Sequence, residues 1–130
     1  MGAPSERRRV RRIPVDGRPG GRVRATLEAR LIDLSAAGAR IQHENLLRPG
    51  FACTFELPSD LADASLPVQV VRSVVVGAET GPAGERILRY ESGLQFVGLT
   101  AGQRELLAGV LARLTPREDL GEGWLVIPDA

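Results

Sequence analysis

The stretch Asp33-Leu34-Ser35-Ala36-Ala37-Gly38 decides the fold, because it ends one aliphatic alternation and begins another. Upstream, Val23, Ala25, Leu27, Ala29 and Leu31 recur at every second position in a segment free of proline and glycine, which predicts a strand from Val23 to Leu34. Downstream, Ala39 to Gln42 reads as a short return strand, so residues 36–38 form a tight turn. Arg48-Pro49-Gly50 marks the next turn, and Phe51 to Leu57 a third strand with Phe51, Cys53, Phe55 and Leu57 on one face.

The pattern continues beyond this point. Pro58 to Ser65 reads as a loop or short helical turn, Leu66 to Val76 as a valine-rich strand, Gly77 to Gly84 as a hairpin connection and Arg86 to Val97 as another strand. Short strands separated by turn residues fit an antiparallel meander closing into a small barrel or sandwich. One helix follows. Thr100 can cap it, Gln103 stands three positions later as in a capping box, and Leu106, Leu107, Val110, Leu111 and Leu114 form one apolar stripe assigned to the core. Gly102 and Gly109 weaken this helix by roughly 1 kcal/mol each relative to alanine, so docking of the stripe must supply much of its stability.

A chain of 130 residues can bury one hydrophobic interior and little more, which predicts a single domain. The sequence has no lysine, so its positive charge is carried by arginine, and aromatics make up only 4% of the chain, so the core must be largely aliphatic. The net charge of +1 hides an asymmetry: residues 1–24 hold eight arginines against Glu6 and Asp16, a balance of +6, and the remainder balances at −5. A basic arm on a mildly acidic body predicts an anionic partner, which charge alone does not narrow further. No apolar run is long enough to span a bilayer and the N-terminus lacks a signal-like apolar stretch, so a cytoplasmic protein without membrane insertion is expected. Cys53 sits in an apolar run and reads as a buried, inert thiol. No second histidine, metal-ligand cluster or P-loop accompanies His43, which reads as an exposed or locally bonded loop residue. The expectation is therefore no enzyme, no catalytic residue, no metal and no cofactor beyond a bound ligand.

Two motifs and their order point to the ligand. Arg7, Arg8 and Arg12 fit R-R-x-x-x-R, and Asp33, Ser35 and Gly38 fit D-x-S-x-x-G. Gly93 and Phe96, in Ser92-Gly93-Leu94-Gln95-Phe96-Val97 before the amphipathic helix, fit a third pattern, G-x-x-F on a strand. From about Glu6 to Leu114 the chain resembles PilZ domains, bacterial receptors for cyclic di-GMP. The resemblance implies a mainly β fold: a six-stranded antiparallel β-barrel with a C-terminal α-helix and a flexible basic N-terminal arm that folds over the ligand. On this reading residues 1–22 are the arm, 23–115 the barrel plus helix, and 116–130 a C-terminal tail.

The same resemblance assigns roles. Arg8 and Arg12 contact phosphate and guanine, and Arg7 adds the preceding cation; planar guanidinium forks suit the two adjacent acceptors of a guanine Hoogsteen edge. Arg7 and Arg11 satisfy R-x-x-x-R as well, so the register stays open, although Arg12 precedes the Ile13-Pro14-Val15 run usual after the motif. Asp33 accepts from the guanine ring N–H and exocyclic amino group, a donor pattern adenine lacks. Ser35 offers its hydroxyl to base or phosphate, and Gly38 either takes a positive backbone angle or lets the nucleotide approach. Local bonding of Asp33 and Ser35 within an ordinary turn is the plain alternative.

The function expected is a cyclic di-GMP sensor or adaptor whose arm closes over one or two ligands and switches a surface for an unidentified effector protein. The runner-up is a PilZ-like interaction module without nucleotide binding, serving pilus assembly or motility. A nucleic-acid-binding barrel is disfavoured by the acidic body and scarce aromatics. Trp124, in Gly123-Trp124-Leu125-Val126-Ile127, either packs on the barrel or belongs to an apolar tail awaiting a partner. Oligomeric state is not legible.

Overall fold

The structure is a computed structural model that describes residues 25–114 and 119–128. The basic arm, residues 1–22, lies outside the described residues. Six strands are present: β1 (Ala25–Leu34), β2 (Gly38–His43), β3 (Ala52–Glu56), β4 (Ser65–Thr80), β5 (Arg86–Phe96) and β6 (Glu122–Ile127), with helix α1 (Ala101–Arg113) between β5 and β6. The strands close into a barrel in the order β1-β2-β5-β4-β3-β6, with every neighbour antiparallel. Closure gives each strand two neighbours within the barrel, while residues 71–80 and 86–89 at the outer end of the β4–β5 hairpin pair only with each other among the described residues.

Alternation builds the interior. Ala29 and Leu31 of β1, Cys53 and Phe55 of β3, Leu66, Val68 and Val70 of β4, and Leu125 of β6 all point inward and are buried. At about 25 cal/mol per Å² of apolar surface, each buried leucine, valine or phenylalanine side chain contributes roughly 1.5–3 kcal/mol.

Three features differ from the sequence expectation. The first is topology, which is not a simple meander. Strand β2 already has β1 and β5 on its two edges, so the Arg48-Pro49-Gly50 turn carries the chain across to β3, which pairs with β4 and β6. Gly50 makes this possible with φ +91°, while its N–H donates to the Val70 carbonyl at 2.6 Å. The second is the β4–β5 hairpin, which runs on to Thr80 and turns over residues 81–84. Gly77, expected to open the connection, instead sits where the β4–β5 register slips between Val75 and Gly77, a bulge within the ladder.

The third difference is the C-terminal segment. Residues 122–127 lie in the stretch expected to be a tail, yet they form β6, the strand that joins β1 to β3 and closes the barrel. The boundary near 115 is therefore not the edge of the barrel. Gly123 is required for this fit, since a Cβ there would overlap the Phe55 ring and the Glu56 carbonyl. Trp124 pairs in register with Glu28 and Glu56 and is half-buried, so of its two readings packing on the barrel is the one observed.

Helix α1 carries the expected capping box. Thr100 Oγ1 accepts from the Gln103 N–H at 3.0 Å, and Gln103 Oε1 accepts from the Thr100 N–H at 2.9 Å. The apolar stripe is narrower than expected. Leu107 and Val110 join the core, Leu111 and Leu114 are half-buried, and Leu106 is exposed. Arg113 anchors the last turn by donating to the Leu61 carbonyl at 3.0 Å.

Candidate functional site

Strict alternation along β1 would place Asp33 on the same inward face as Ala29 and Leu31, where an unpaired carboxylate is costly. The chain avoids this with a bulge. Leu31 pairs with Ile41 but Asp33 pairs with Arg40, so Ile32 is an extra residue and Asp33 turns outward. A second bulge lies on the neighbouring part of the wall: Val70 pairs with Leu94 and Arg72 with Gly93, which leaves Val71 unpaired and half exposed.

Both bulges open onto one cleft of about 500 Å³, lined by Asp33, Ser35, Gly38, Arg40, Val71 and Leu94 among others. A carboxylate here stands beside the apolar surfaces of valine and leucine. That combination can take the donor edge of a planar base on the acid while the base face covers the aliphatic groups.

The three D-x-S-x-x-G residues are thus brought together, each in a distinct role. Asp33 Oδ2 accepts from Arg40 Nη2 at 2.8 Å. The Ser35 hydroxyl oxygen accepts from the backbone N–H groups of Ala37 at 3.1 Å and Gly38 at 3.2 Å, and the Ser35 N–H donates to the Gly38 carbonyl at 2.9 Å. Its hydroxyl shapes the turn, as a serine turn does. Gly38 has neither a positive φ nor an open space above it: a Cβ would overlap the Leu94 carbonyl oxygen. Glycine is needed here because β5 runs very close to β2, which corrects the expectation of a left-handed angle and of an approaching nucleotide as the cause.

Arg40 is the residue the sequence reading missed. Besides Asp33, it contacts Glu91 Oε2 through Nε at 3.2 Å, so one guanidinium is divided between two carboxylates. Its position two residues past the motif glycine, on the outward face of β2, is the only signal it left. Among the described residues lining the cleft it is the cation, and both acids already engage it. Arg7, Arg8 and Arg12 lie outside the described residues.

A second cleft, about 290 Å³, includes Glu28, Arg30, His43, Glu79, Arg89 and Glu122 in its lining. Arg89 is tied to Glu79 at 2.7 Å, and burial together with the neighbouring Glu28 holds the Glu122 carboxyl above its usual range. None of the D-x-S-x-x-G residues lines it, so the Asp33 cleft remains the candidate site. His43 borders this second cleft and is buried, not an exposed loop residue: it ends β2, stacks on Tyr90 with centroids 6.0 Å apart, and contacts Ser92. The β4–β5 hairpin covers it, which local sequence did not reveal.

Among the described residues no group of histidine, cysteine and acidic side chains could hold a metal ion, and no helix is long and apolar enough to cross a membrane. No curated protein and no solved structure matches the chain. The family model of the PilZ domain matches residues 6–113, a span that takes in the arginine run, the Asp33–Gly38 turn, all of the wall around the cleft and helix α1. A closed six-stranded barrel with its helix, a bulge that turns the motif aspartate outward and a match over most of the length agree: this chain belongs to the PilZ domain family, whose members are modules of the cyclic di-GMP-binding type.

Proposed function

We propose that this PilZ domain binds cyclic di-GMP in the Asp33 cleft and acts as a sensor or adaptor. Asp33 accepts from the ring N–H and exocyclic amino group of one guanine, whose face lies over the half-exposed Val71. The phosphodiesters require cations, and because Arg40 is already shared by two carboxylates, they come from Arg7, Arg8 and Arg12 of the arm. Arm closure over the ligand then alters the surface offered to an effector protein, so binding and switching are one event. The observation that carries this reading is the bulge at Ile32, which places an exposed carboxylate beside the Ser35 turn at the mouth of an apolar-walled cleft.

Calorimetry with cyclic di-GMP, GTP and single-stranded DNA tests it. Binding of the first alone is expected, weakened about tenfold to a hundredfold in Arg12→Ala, the loss of one charge-assisted hydrogen bond, and at least as much in Asp33→Ala, which loses both of its bonds to the base. Absence of nucleotide binding would favour an interaction module working through protein contacts. Steeply salt-dependent DNA binding indifferent to Asp33 would favour a nucleic-acid barrel.

A further inference from the structure

The Asp33 carboxylate is held from behind. Arg40 Nη2 reaches its Oδ2 at 2.8 Å while Arg40 Nε reaches Glu91 Oε2 at 3.2 Å. Exposure falls along this line: the side chains of Asp33, Arg40 and Glu91 are 60%, 51% and 24% exposed. The better-buried Glu91 therefore anchors an arginine that in turn orients the more exposed aspartate. Register explains how a β2 residue spans both neighbours. Arg40 pairs with Asp33 across β1 and with Gly93 across β5, two residues along that strand from Glu91.

The geometry points to Arg40 as a positioning residue for guanine recognition, with Glu91 as its anchor: together they fix the plane of the Asp33 carboxylate so that it meets two donors of one base at once. Two features separate this from a phosphate-binding role. One guanidinium shared by two carboxylates leaves a net charge of −1, which repels a phosphodiester. The arginine also donates to Oδ2 alone, and among the described residues Oδ1 accepts no hydrogen bond. A carboxylate accepts up to about four hydrogen bonds, so both oxygens retain room for the guanine edge while Arg40 stays in place. The consequence is specificity: a fixed carboxylate rewards the exocyclic amino group of guanine, and a swivelling one rewards it less. This inference rests on the reading of Asp33 as the guanine-binding group.

The test compares cyclic di-GMP with cyclic di-IMP, whose bases lack that amino group, by calorimetry on the full chain and on Arg40→Ala, Arg40→Lys, Glu91→Gln and the Arg40→Ala/Asp33→Ala pair. The wild type is expected to prefer cyclic di-GMP by about tenfold, the value of one good hydrogen bond. Arg40→Ala should weaken cyclic di-GMP by roughly tenfold and cyclic di-IMP much less, collapsing the preference. Lysine cannot span both acids and should not restore it. Glu91→Gln should lower the preference partly, and Arg40→Ala should add nothing when Asp33 is already alanine. Equal weakening of both ligands with a reduced salt dependence makes Arg40 a phosphate contact and overturns the inference. Tighter binding in Arg40→Ala makes it a competitor for Asp33 and overturns it too, as does no change. Binding that needs Asp33 but ignores Arg40 sinks this inference alone, whereas a wild type that binds neither dinucleotide removes the ligand reading beneath it. Thermal unfolding of each variant separates lost binding from lost fold.

Discussion

His43 Nε2 lies 2.7 Å from the Oγ of Ser92, which donates its own proton to Ser73 Oγ at 2.9 Å. His43 Nδ1 is buried without a hydrogen-bond partner among the described residues. Burial disfavours the imidazolium and lowers the His43 pKa from 6.5 to about 4, with the Asn45 backbone opposing the shift without outweighing it. The unfolded chain accordingly takes up a proton in a range where the folded one does not. This contribution to stability is whole above pH 6.5 and is lost as pH falls towards 4, about 2–3 kcal/mol over the interval. Urea unfolding of wild type and His43→Gln between pH 7 and pH 4 checks it: the variant should lose less stability over that span, and parallel curves would refute the assignment.

Gly38→Ala should destabilise the barrel by roughly 2–3 kcal/mol, because the added methyl meets the Leu94 backbone, which cannot swing aside as a side chain can. Gly77→Ala supplies the contrast. It has no positive φ and nothing within 4 Å of the added carbon, so the substitution should be neutral or stabilising by up to about 1 kcal/mol. Chemical denaturation of the two variants measures the difference; equal effects would show that β2 and β5 can move apart.

Removal of residues 119–130 should abolish cooperative unfolding, because the edges of β1 and β3 lose their partner and Phe55 loses its cover. Leu125→Ala, a milder change at a fully buried position, should cost about 2–5 kcal/mol. Trp124, the single tryptophan, sits in the same strand, so its fluorescence should shift together with far-UV circular dichroism as the barrel unfolds. A truncated chain that still melts cooperatively would show the barrel closing without β6.

Cys53 should resist iodoacetamide in the folded protein near pH 8. It is buried, and desolvation pushes its thiol pKa up to about 11, so the reactive thiolate is scarce. Labelling should become complete in denaturant, and its rate under native conditions should follow global unfolding. Rapid labelling of the native protein would place the thiol at the surface.

Legibility in the sequence tracked the range of the interaction. The β1 alternation, the turn at residues 36–38, the one-sided run of β3 and the Thr100–Gln103 box are all set by residues a few positions apart, and each was read correctly from the chain. The D-x-S-x-x-G motif likewise marked the cleft, since a serine turn forms from its own neighbours. Gly38 was singled out for the wrong cause, because its requirement comes from Leu94, a residue on another strand. Arg40 and His43 were missed or misread for the same reason: Glu91 and Ser92, which define their roles, reach them only through the β2–β5 pairing.

The chain by itself determined a small aliphatic barrel or sandwich of short strands with one capped helix, an arginine-rich N-terminal stretch and a turn bearing an acid and a hydroxyl, since periodicity, capping and turn chemistry are local. Tertiary structure alone decided that β6 closes the barrel, that β2 and β3 part company, and that Asp33 faces outward. Those outcomes follow from which strand edges find partners and from where a register slips by one residue, and such slips depend on the facing strand. A bulge of one residue, invisible in the alternation of β1, is what separates a buried acid from an exposed one.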